Sequence, residues 1–531
     1  MGRRRRAVTE YRLGALVAVL QRRGQLAAEP LPAHGGESDP FIRNVRYDSR
    51  RVGPGDIYVA RRGRHTDGHD HVPGAVAAGA VAVIVERPLP GVTVPQVVVC
   101  DAATALGLAA AWRAGDPSRA LGIVGITGTD GKTTTAYLVR AILQATLGPC
   151  GLLGTTDVIV GGQSRGNPAR TSTPEAPELQ ACLADMLSAG DDWAVVESSS
   201  HGLAQQRVGG VAYDVAIFTN LTSEHLEFHG SLDAYRAAKR SLFARLATSA
   251  ENPEKGWGKH AVVNADDAEG EAMARVAMAA GARVWRYGLA GDLGSGEAAI
   301  LDLAATGLEE RGDHMHVTMR AGAWHGGVDL RLAGRFNVAN ALAAMGVAAA
   351  LRLDLDDAAL ALAAVDGVPG RMQRIDEGQP FSVIVDYAHT TDSLTKVLDE
   401  LRPIDPGGGL IAVFGSAGER DPSKREPMGR VAGERCRVVI VTDEDPRGED
   451  RDAILAAIAA GAEAAGRKRD RDLFIIPERA AAIRRAMRLA RPGDVVLLAG
   501  KGHEKTIEAA GDELPWDEAA VARAAIRTRD D

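Results

Sequence analysis

A chain of 531 residues, 45% hydrophobic and 25% charged, has the balance of a globular protein and the length of roughly three or four domains. Its net charge of −8 is modest for that length and argues against a general nucleic-acid binder. Cys100, Cys150, Cys182 and Cys436 stand far apart with no C-x-x-C pair, which excludes a disulfide framework or structural zinc site as the organising element and fits a reducing cytosol.

In chain order, four arginines at 3–6 precede an apolar run at 13–20 that stops at Gln21, Arg22 and Arg23. No small-residue cleavage site follows closely, so an amphipathic first helix is expected rather than a signal peptide. No stretch has the length and apolarity of a membrane span. Strand-like runs at 56–60, 82–85 and 96–99, separated by glycine and proline turns, make a first block to residue 117. A second block, 118–368, alternates strands such as 193–197 and 215–220 with helices, which predicts a parallel sheet. A third, 369–531, has strands at 383–386, 410–414, 438–442 and 495–499 between alanine-rich helices, a second doubly wound α/β unit. Residues 288–299 read as a surface loop or hairpin connection, and 527–531 as a frayed end.

The stretch Gly125-Ile126-Thr127-Gly128-Thr129-Asp130-Gly131-Lys132-Thr133-Thr134 follows a buried-strand run and opens a helix. Strand, glycine loop, Lys-Thr and helix is the arrangement that cradles a nucleotide triphosphate. Glycines let backbone N–H groups approach the phosphates, Lys132 neutralises charge, and the Thr133 hydroxyl suits Mg²⁺. Ile126 stands where the strict pattern has glycine, and a plain glycine-rich turn is the alternative reading.

Other motifs lie at predicted strand ends. They include Tyr47-Asp48-Ser49-Arg50, Glu197-Ser198-Ser199-Ser200-His201, a 220–230 segment carrying Glu224 and His225, and Lys239. Further on come Asn337 and Asn340, Gly370-Arg371, Glu444-Asp445-Pro446-Arg447 and Gly500-Lys501-Gly502-His503-Glu504. In this order, over nearly the whole chain, they resemble the Mur ligase family and its tripeptide-forming branch. The resemblance implies an α/β, three-domain architecture with a UDP-binding N-terminal domain. A central P-loop-type ATPase domain and a C-terminal Rossmann-like domain for the amino acid would follow.

It also implies a cytoplasmic, monomeric, ATP- and Mg²⁺-dependent ligase of peptidoglycan synthesis, with no nucleic-acid or membrane partner. ATP would activate UDP-N-acetylmuramoyl-L-alanyl-D-glutamate as an acyl phosphate, and a diamino acid would attack it. Domain motion would bring the blocks together.

Carried residue by residue, the resemblance puts Tyr47, Ser49, Arg64, His65, Thr66, Thr171, Ser172, Thr173, Ser199, Gln205 and Arg207 on the UDP-linked dipeptide. ATP would meet Gly128, Thr129, Asp130, Gly131, Lys132, Thr133, Thr134, Asn337, Asn340, Arg371 and Asp386. Glu197 and His225 would join Thr133 on Mg²⁺, and Lys239 would carry a CO₂-derived carbamate, although by itself Lys239 reads as a helix-surface lysine. The amino acid would meet Arg420, Glu444, Asp445, Pro446, Arg447, Gly500 and Glu504.

Two motifs depart from the family pattern. Asp130 stands where Asn is common, and Glu444-Asp445-Pro446-Arg447 replaces the Asp-Asn-Pro-Arg of diaminopimelate-adding members. Three carboxylates, Glu444, Asp445 and Glu504, favour a net basic side chain, so L-lysine or L-ornithine is expected over meso-diaminopimelate. Arg420 and Arg447 oppose that argument. Sister ligases, such as folylpolyglutamate or cyanophycin synthetases, share the ATP loop. A non-ligating amidotransferase partner would carry clustered cysteines, which this chain lacks.

Overall fold

The apolar runs of the first block pair as a parallel sheet, ordered Val45–Arg46, Ile57–Val59, Ala82–Val85 and Gln96–Val98. The expected first helix, Leu13–Arg22, buries Leu13, Leu16 and Leu20 along one stripe against it. Helix Ala102–Arg113 packs on the same core and is capped by Asp101, whose carboxylate accepts from the N–H groups of Ala103 and Thr104. This computed structural model describes residues 11–30, 39–63, 66–167, 171–222, 224–249, 255–290, 301–311, 314–332, 334–401 and 407–529.

The second block builds its parallel core from Cys150–Leu153, Trp193–Glu197, Gly122–Thr127, Val215–Phe218, His260–Asn264 and Arg283–Leu289, in that spatial order. Every residue of Gly122–Thr127 is buried, as a strand covered by helices on both faces requires. Strand 122–127 lies between 193–197 and 215–218, where the chain order reverses across the sheet. Such switch points open a crevice at the carboxyl ends of the strands.

The third block forms a six-stranded sheet, ordered Gln373–Ile375, Ser382–Asp386, Val495–Ala499, Leu410–Phe414, Val438–Val441 and Leu473–Ile475. Only the first strand is antiparallel. Met428, Ile454 and Ile458 cover one face, and Ile483, Met487 and Ala522 the other. An antiparallel hairpin, Thr506–Ala509 with Asp512–Pro515, follows the last sheet strand.

The chain forms two compact units. One holds 1–306, 318–326 and 339–361; the other holds 307–317, 327–338 and 362–531. The four-stranded sheet and the parallel core of the second block belong to the first unit, and the six-stranded sheet to the second.

Two local expectations change. Gly288 and Leu289 continue the strand Arg283–Leu289, and 291–300 lie outside the described residues. The end of the chain is not frayed through Arg529. Helix Glu518–Arg527 packs on the sheet, Arg527 pairs with Glu377 at 2.7 Å, and Arg529 lies 4.9 Å from the Phe381 ring centre. Apolar packing and ion pairs hold what composition alone suggested was loose. Among the described residues no helix is long and apolar enough to cross a membrane.

Candidate active site

The glycine loop leaves strand Gly122–Thr127 and turns into helix Lys132–Thr146 through Gly131, whose φ of 81° is left-handed. A side chain at Gly128 would collide with the Thr219 hydroxyl, and one at Gly131 with the Asn340 carboxamide. Both glycines are therefore required by close approach. The segment after strand Val215–Phe218 pins the loop. Thr129 N–H donates to the Asn220 carbonyl at 2.9 Å, and Asp130 N–H to Asn220 Oδ1 at 2.8 Å. The Thr219 hydroxyl donates to the Asp130 carbonyl at 2.6 Å. Asn340 also accepts from the Thr135 hydroxyl at 3.2 Å, which places it against the loop.

Thr133 and Glu197 come together at this loop. Register sets Glu197 beside Ile126, and the Thr133 hydroxyl donates to Glu197 Oε2 at 3.2 Å. Thr155, which the sequence reading missed, orients the carboxylate twice: its N–H reaches Oε1 at 3.0 Å and its hydroxyl Oε2 at 2.8 Å. A buried carboxylate beside a hydroxyl at a helix N-terminus is an oxygen donor pair that fits Mg²⁺. Thr133 and Glu197 would hold the ion, which supplies positive charge against phosphate oxygens.

His225 occupies a left-handed backbone position, φ 58°. It joins a ring cluster with His201, at 4.7 Å, and Tyr235, at 6.3 Å. No hydrogen bond or ion pair joins it to Thr133 or Glu197, and among the described residues no three His, Cys, Asp or Glu side chains form a metal cage. Burial, then the neighbouring His225 and His229, push His201 down to about 4.

Lys239 is not on a surface. It is 1% exposed, donates to the Gly128 carbonyl at 2.6 Å, and lies 4.4 Å from the Tyr235 ring centre. Lys132 donates to the same carbonyl at 3.0 Å and to that of Thr129 at 2.6 Å. Burial first, and then the Lys132 charge, hold the Lys239 ammonium well below the usual lysine range.

On the other side of Glu197, Thr173 donates to its carbonyl at 2.8 Å, hydrogen-bonds the Ser199 hydroxyl at 3.1 Å, and accepts from Arg207 at its own carbonyl. Arg207 also pairs with Glu175 at 3.1 Å, which binds Arg61 at 2.8 Å. The Tyr47 hydroxyl donates to Glu178 at 3.3 Å, and burial followed by Glu178 and Glu175 pushes the phenol up to about 12, so it stays a donor. The Ser172 and Thr155 hydroxyls hydrogen-bond at 2.7 Å, while Thr171 lies beside them and Gln205 ends the short helix Ser200–Ala204. Ser49 opens a helical turn capped by Asp48, and the Thr66 carbonyl accepts from Gly63 N–H at 2.8 Å. Arg64 and His65 lie outside the described residues. Glu175, Glu178 and Arg61 were missed because only their pairing across 114 or more residues reveals them.

In the second unit the loops after strands Val438–Val441 and Val495–Ala499 meet. Lys501, passed over between Gly500 and Gly502, is buried and bonds Asp445 at 2.8 Å and Glu504 at 2.5 Å. Glu504 also accepts from the Tyr387 hydroxyl at 3.3 Å. Glu444 is 6% exposed and its Oε2 has no hydrogen-bond partner, although the Gly500 backbone lies against it. The Pro446 carbonyl packs against Gly418, in the loop that leads to the exposed Arg420. Arg371 lies over the Tyr387 ring at 4.6 Å, and Asp386 accepts from the N–H groups of Met372 and Ala388 at 2.8 Å. Asn337 is buried in the first turn of helix Arg335–Ala350.

His503 sits among these groups. Burial, then Arg371, Lys501 and Lys505, push its imidazole down to about 3. The unfolded chain, with an ordinary histidine, takes up the proton first as pH falls. Stability is therefore expected to be full above about pH 6.5 and to drop from there towards pH 3. Urea midpoints at about pH 7 and pH 5 should differ less in His503→Gln than in wild type. Equal differences would remove His503 from this role.

Family profiles match along the chain: the Mur ligase family catalytic domain at 41–113, the Mur ligase middle domain at 126–348, and the Mur ligase glutamate ligase domain at 370–502. A UDP-N-acetylmuramyl-tripeptide synthetase of Roseiflexus sp. (strain RS-1) is 47% identical over 501 residues, 93% of this chain and 96% of that one. A UDP-N-acetylmuramoyl-L-alanyl-D-glutamate–2,6-diaminopimelate ligase of Geobacillus kaustophilus is 40% identical over 507 residues, with the same coverage of 93% and 96%. A solved structure of a ligase with that same name aligns at a TM-score of 0.64 and 31% identity, covering 92% of this chain and 96% of that chain. The fold is the three-domain α/β Mur ligase architecture, with a central P-loop-type domain and a Rossmann-like C-terminal domain. With its phosphate loop, buried carboxylate and paired lysines in place, the chain belongs to the Mur ligase family and is an ATP-dependent acid–amino-acid ligase.

Proposed function

We propose that the protein adds a diamino acid to UDP-N-acetylmuramoyl-L-alanyl-D-glutamate in peptidoglycan synthesis, and that it takes L-lysine or L-ornithine in preference to meso-diaminopimelate. Residues 1–117 would bind the UDP end, 118–368 ATP and the reacting carboxylate, and 369–531 the amino acid. The glutamate carboxylate attacks the terminal phosphorus of ATP, giving an acyl phosphate and ADP. The amine then attacks the acyl carbon, an amide forms and phosphate leaves. Lys132 balances charge on the transferred phosphoryl group. Lys239 is poised as an amine that adds CO₂ and releases a proton, giving an anion beside Lys132. A cytoplasmic, monomeric enzyme goes with substrates of this kind.

The observation that carries the amino-acid reading is Glu444. An unpartnered carboxylate oxygen in the interior is costly, and an incoming ammonium relieves that cost. Asp445 and Glu504 already share Lys501, whereas Glu444 Oε2 has no hydrogen-bond partner. Arg447, the group best suited to a second substrate carboxylate, is paired with Glu508 at 3.0 Å. Named relatives include both tripeptide synthetases and diaminopimelate ligases, so the pocket residues carry the choice.

The test measures phosphate release with the UDP-linked dipeptide, ATP and Mg²⁺ against lysine, ornithine and meso-diaminopimelate. The kcat/KM for lysine or ornithine is expected to exceed that for diaminopimelate by roughly 10-fold or more. A diaminopimelate preference would overturn the charge reading, and no release with any amino acid would overturn the substrate assignment.

A further inference from the structure

We propose that Glu508 is a specificity-determining residue, which restricts the substrate to diamino acids with a single carboxylate by pairing with Arg447 and neutralising it. The proposal rests on the reading above of the 443–447 and 500–504 loops as the amino-acid site. Glu508 lies in the hairpin strand Thr506–Ala509, outside every motif that the sequence singled out.

Three bonds fix it between the two loops. Its N–H donates to Asp445 Oδ1 at 2.9 Å, on the oxygen that also accepts from Lys501. Its carbonyl accepts from the Arg447 N–H at 2.9 Å, and its carboxylate accepts from Arg447 Nε at 3.0 Å. The Ala510 N–H returns to the Arg447 carbonyl at 2.8 Å, so Arg447 is docked on the hairpin like a strand residue.

Arg447 adopts a φ of 54°, in the left-handed region that costs a non-glycine residue free energy. The hairpin bonds over-determine that conformation and with it the direction of the side chain. The pair is half-buried, with side-chain exposures of 23% for Arg447 and 32% for Glu508.

The consequence follows from charge and geometry. A guanidinium binds a carboxylate through two parallel N–H bonds, and an unengaged Arg447 would be the natural receptor for the distal carboxylate of a diamino dicarboxylic acid. With Glu508 on its Nε edge the guanidinium is neutralised, and a second carboxylate arriving there meets a like charge. A substrate ending in an ammonium meets no such opposition and is drawn to Glu444.

The experiment uses the full-length enzyme and compares kcat/KM for lysine, ornithine and meso-diaminopimelate in wild type, Glu508→Gln, Glu508→Ala and Glu508→Asp. The lysine-to-diaminopimelate ratio is expected to fall at least about 10-fold in the Gln and Ala variants and to be retained in Asp, which keeps the charge. A merely structural role would not separate Asp from Gln. Adding Arg447→Ala to Glu508→Gln should remove the gain in diaminopimelate use, because the released guanidinium is its cause. A wild-type preference for diaminopimelate overturns the lysine or ornithine reading itself. A wild-type preference for lysine with unmoved ratios in Gln and Ala overturns only the role of Glu508.

Discussion

Lys132→Ala is expected to lower the turnover of ligation by about 100- to 1000-fold or more while leaving thermal unfolding nearly unchanged, and Lys239→Ala to lower it comparably. The two side chains meet at one atom: both ammonium groups donate to the Gly128 carbonyl, Lys132 at 3.0 Å and Lys239 at 2.6 Å. Two cations on one carbonyl repel, and the buried one gives up its proton more readily. Burial and then the Lys132 charge thereby lower the cost of the amine form, the form that would add CO₂, and the carbamate so formed would face Lys132 with opposite charge. The variants should then differ. Bicarbonate should restore neither, whereas short carboxylates such as acetate or formate should partly restore Lys239→Ala, by replacing the missing anion, and leave Lys132→Ala inactive. Near-normal turnover in Lys132→Ala would overturn the phosphate-site assignment. An intact-mass measurement showing a free amine in active, CO₂-equilibrated enzyme would overturn the carbamate.

Arg479→Ala is expected to destabilise the second unit by about 3–5 kcal/mol, measured by urea denaturation. Arg479 and Glu518 are 2% and 1% exposed, joined by bonds of 2.6 and 2.9 Å. The same guanidinium donates to the Asp443 carbonyl at 3.0 Å and the Ala499 carbonyl at 2.8 Å. Those carbonyls stand immediately before Glu444 and Gly500, so one side chain ties both pocket loops to the C-terminal helix. Its removal leaves a buried carboxylate and two buried carbonyls without donors, apart from the Trp516 indole N–H at 2.6 Å from Glu518. Replacing both partners, as Arg479→Met with Glu518→Leu, should cost less than Arg479→Ala, since no buried charge is then left unpaired. A loss below about 1 kcal/mol in Arg479→Ala would show that the pair does not hold the loops.

The local signals in the sequence determined the elements and the chemistry of the phosphate loop. Apolar runs such as 193–197 and 495–499 became strands where expected, because continuous burial leaves a composition signature within a few residues, whereas the strand expected at 121–124 runs on to Thr127, three residues into the stretch read as loop. The glycine loop and its Lys-Thr were legible for the same reason, since backbone reach and phosphate charge are satisfied by neighbours in the chain. Tertiary structure alone decided which charges compensate one another. Lys239 reads as a surface lysine until helix Leu232–Ser249 packs it against Gly128, 111 residues away. Asp445 looks like a free pocket carboxylate until Lys501, 56 residues on, takes it, and Arg447 looks available until Glu508, 61 residues on, pairs with it. Periodicity records which face of an element is buried, whereas the partner of a buried charge is chosen by sheet order and loop packing, and neither leaves a mark on the residues next to it in sequence.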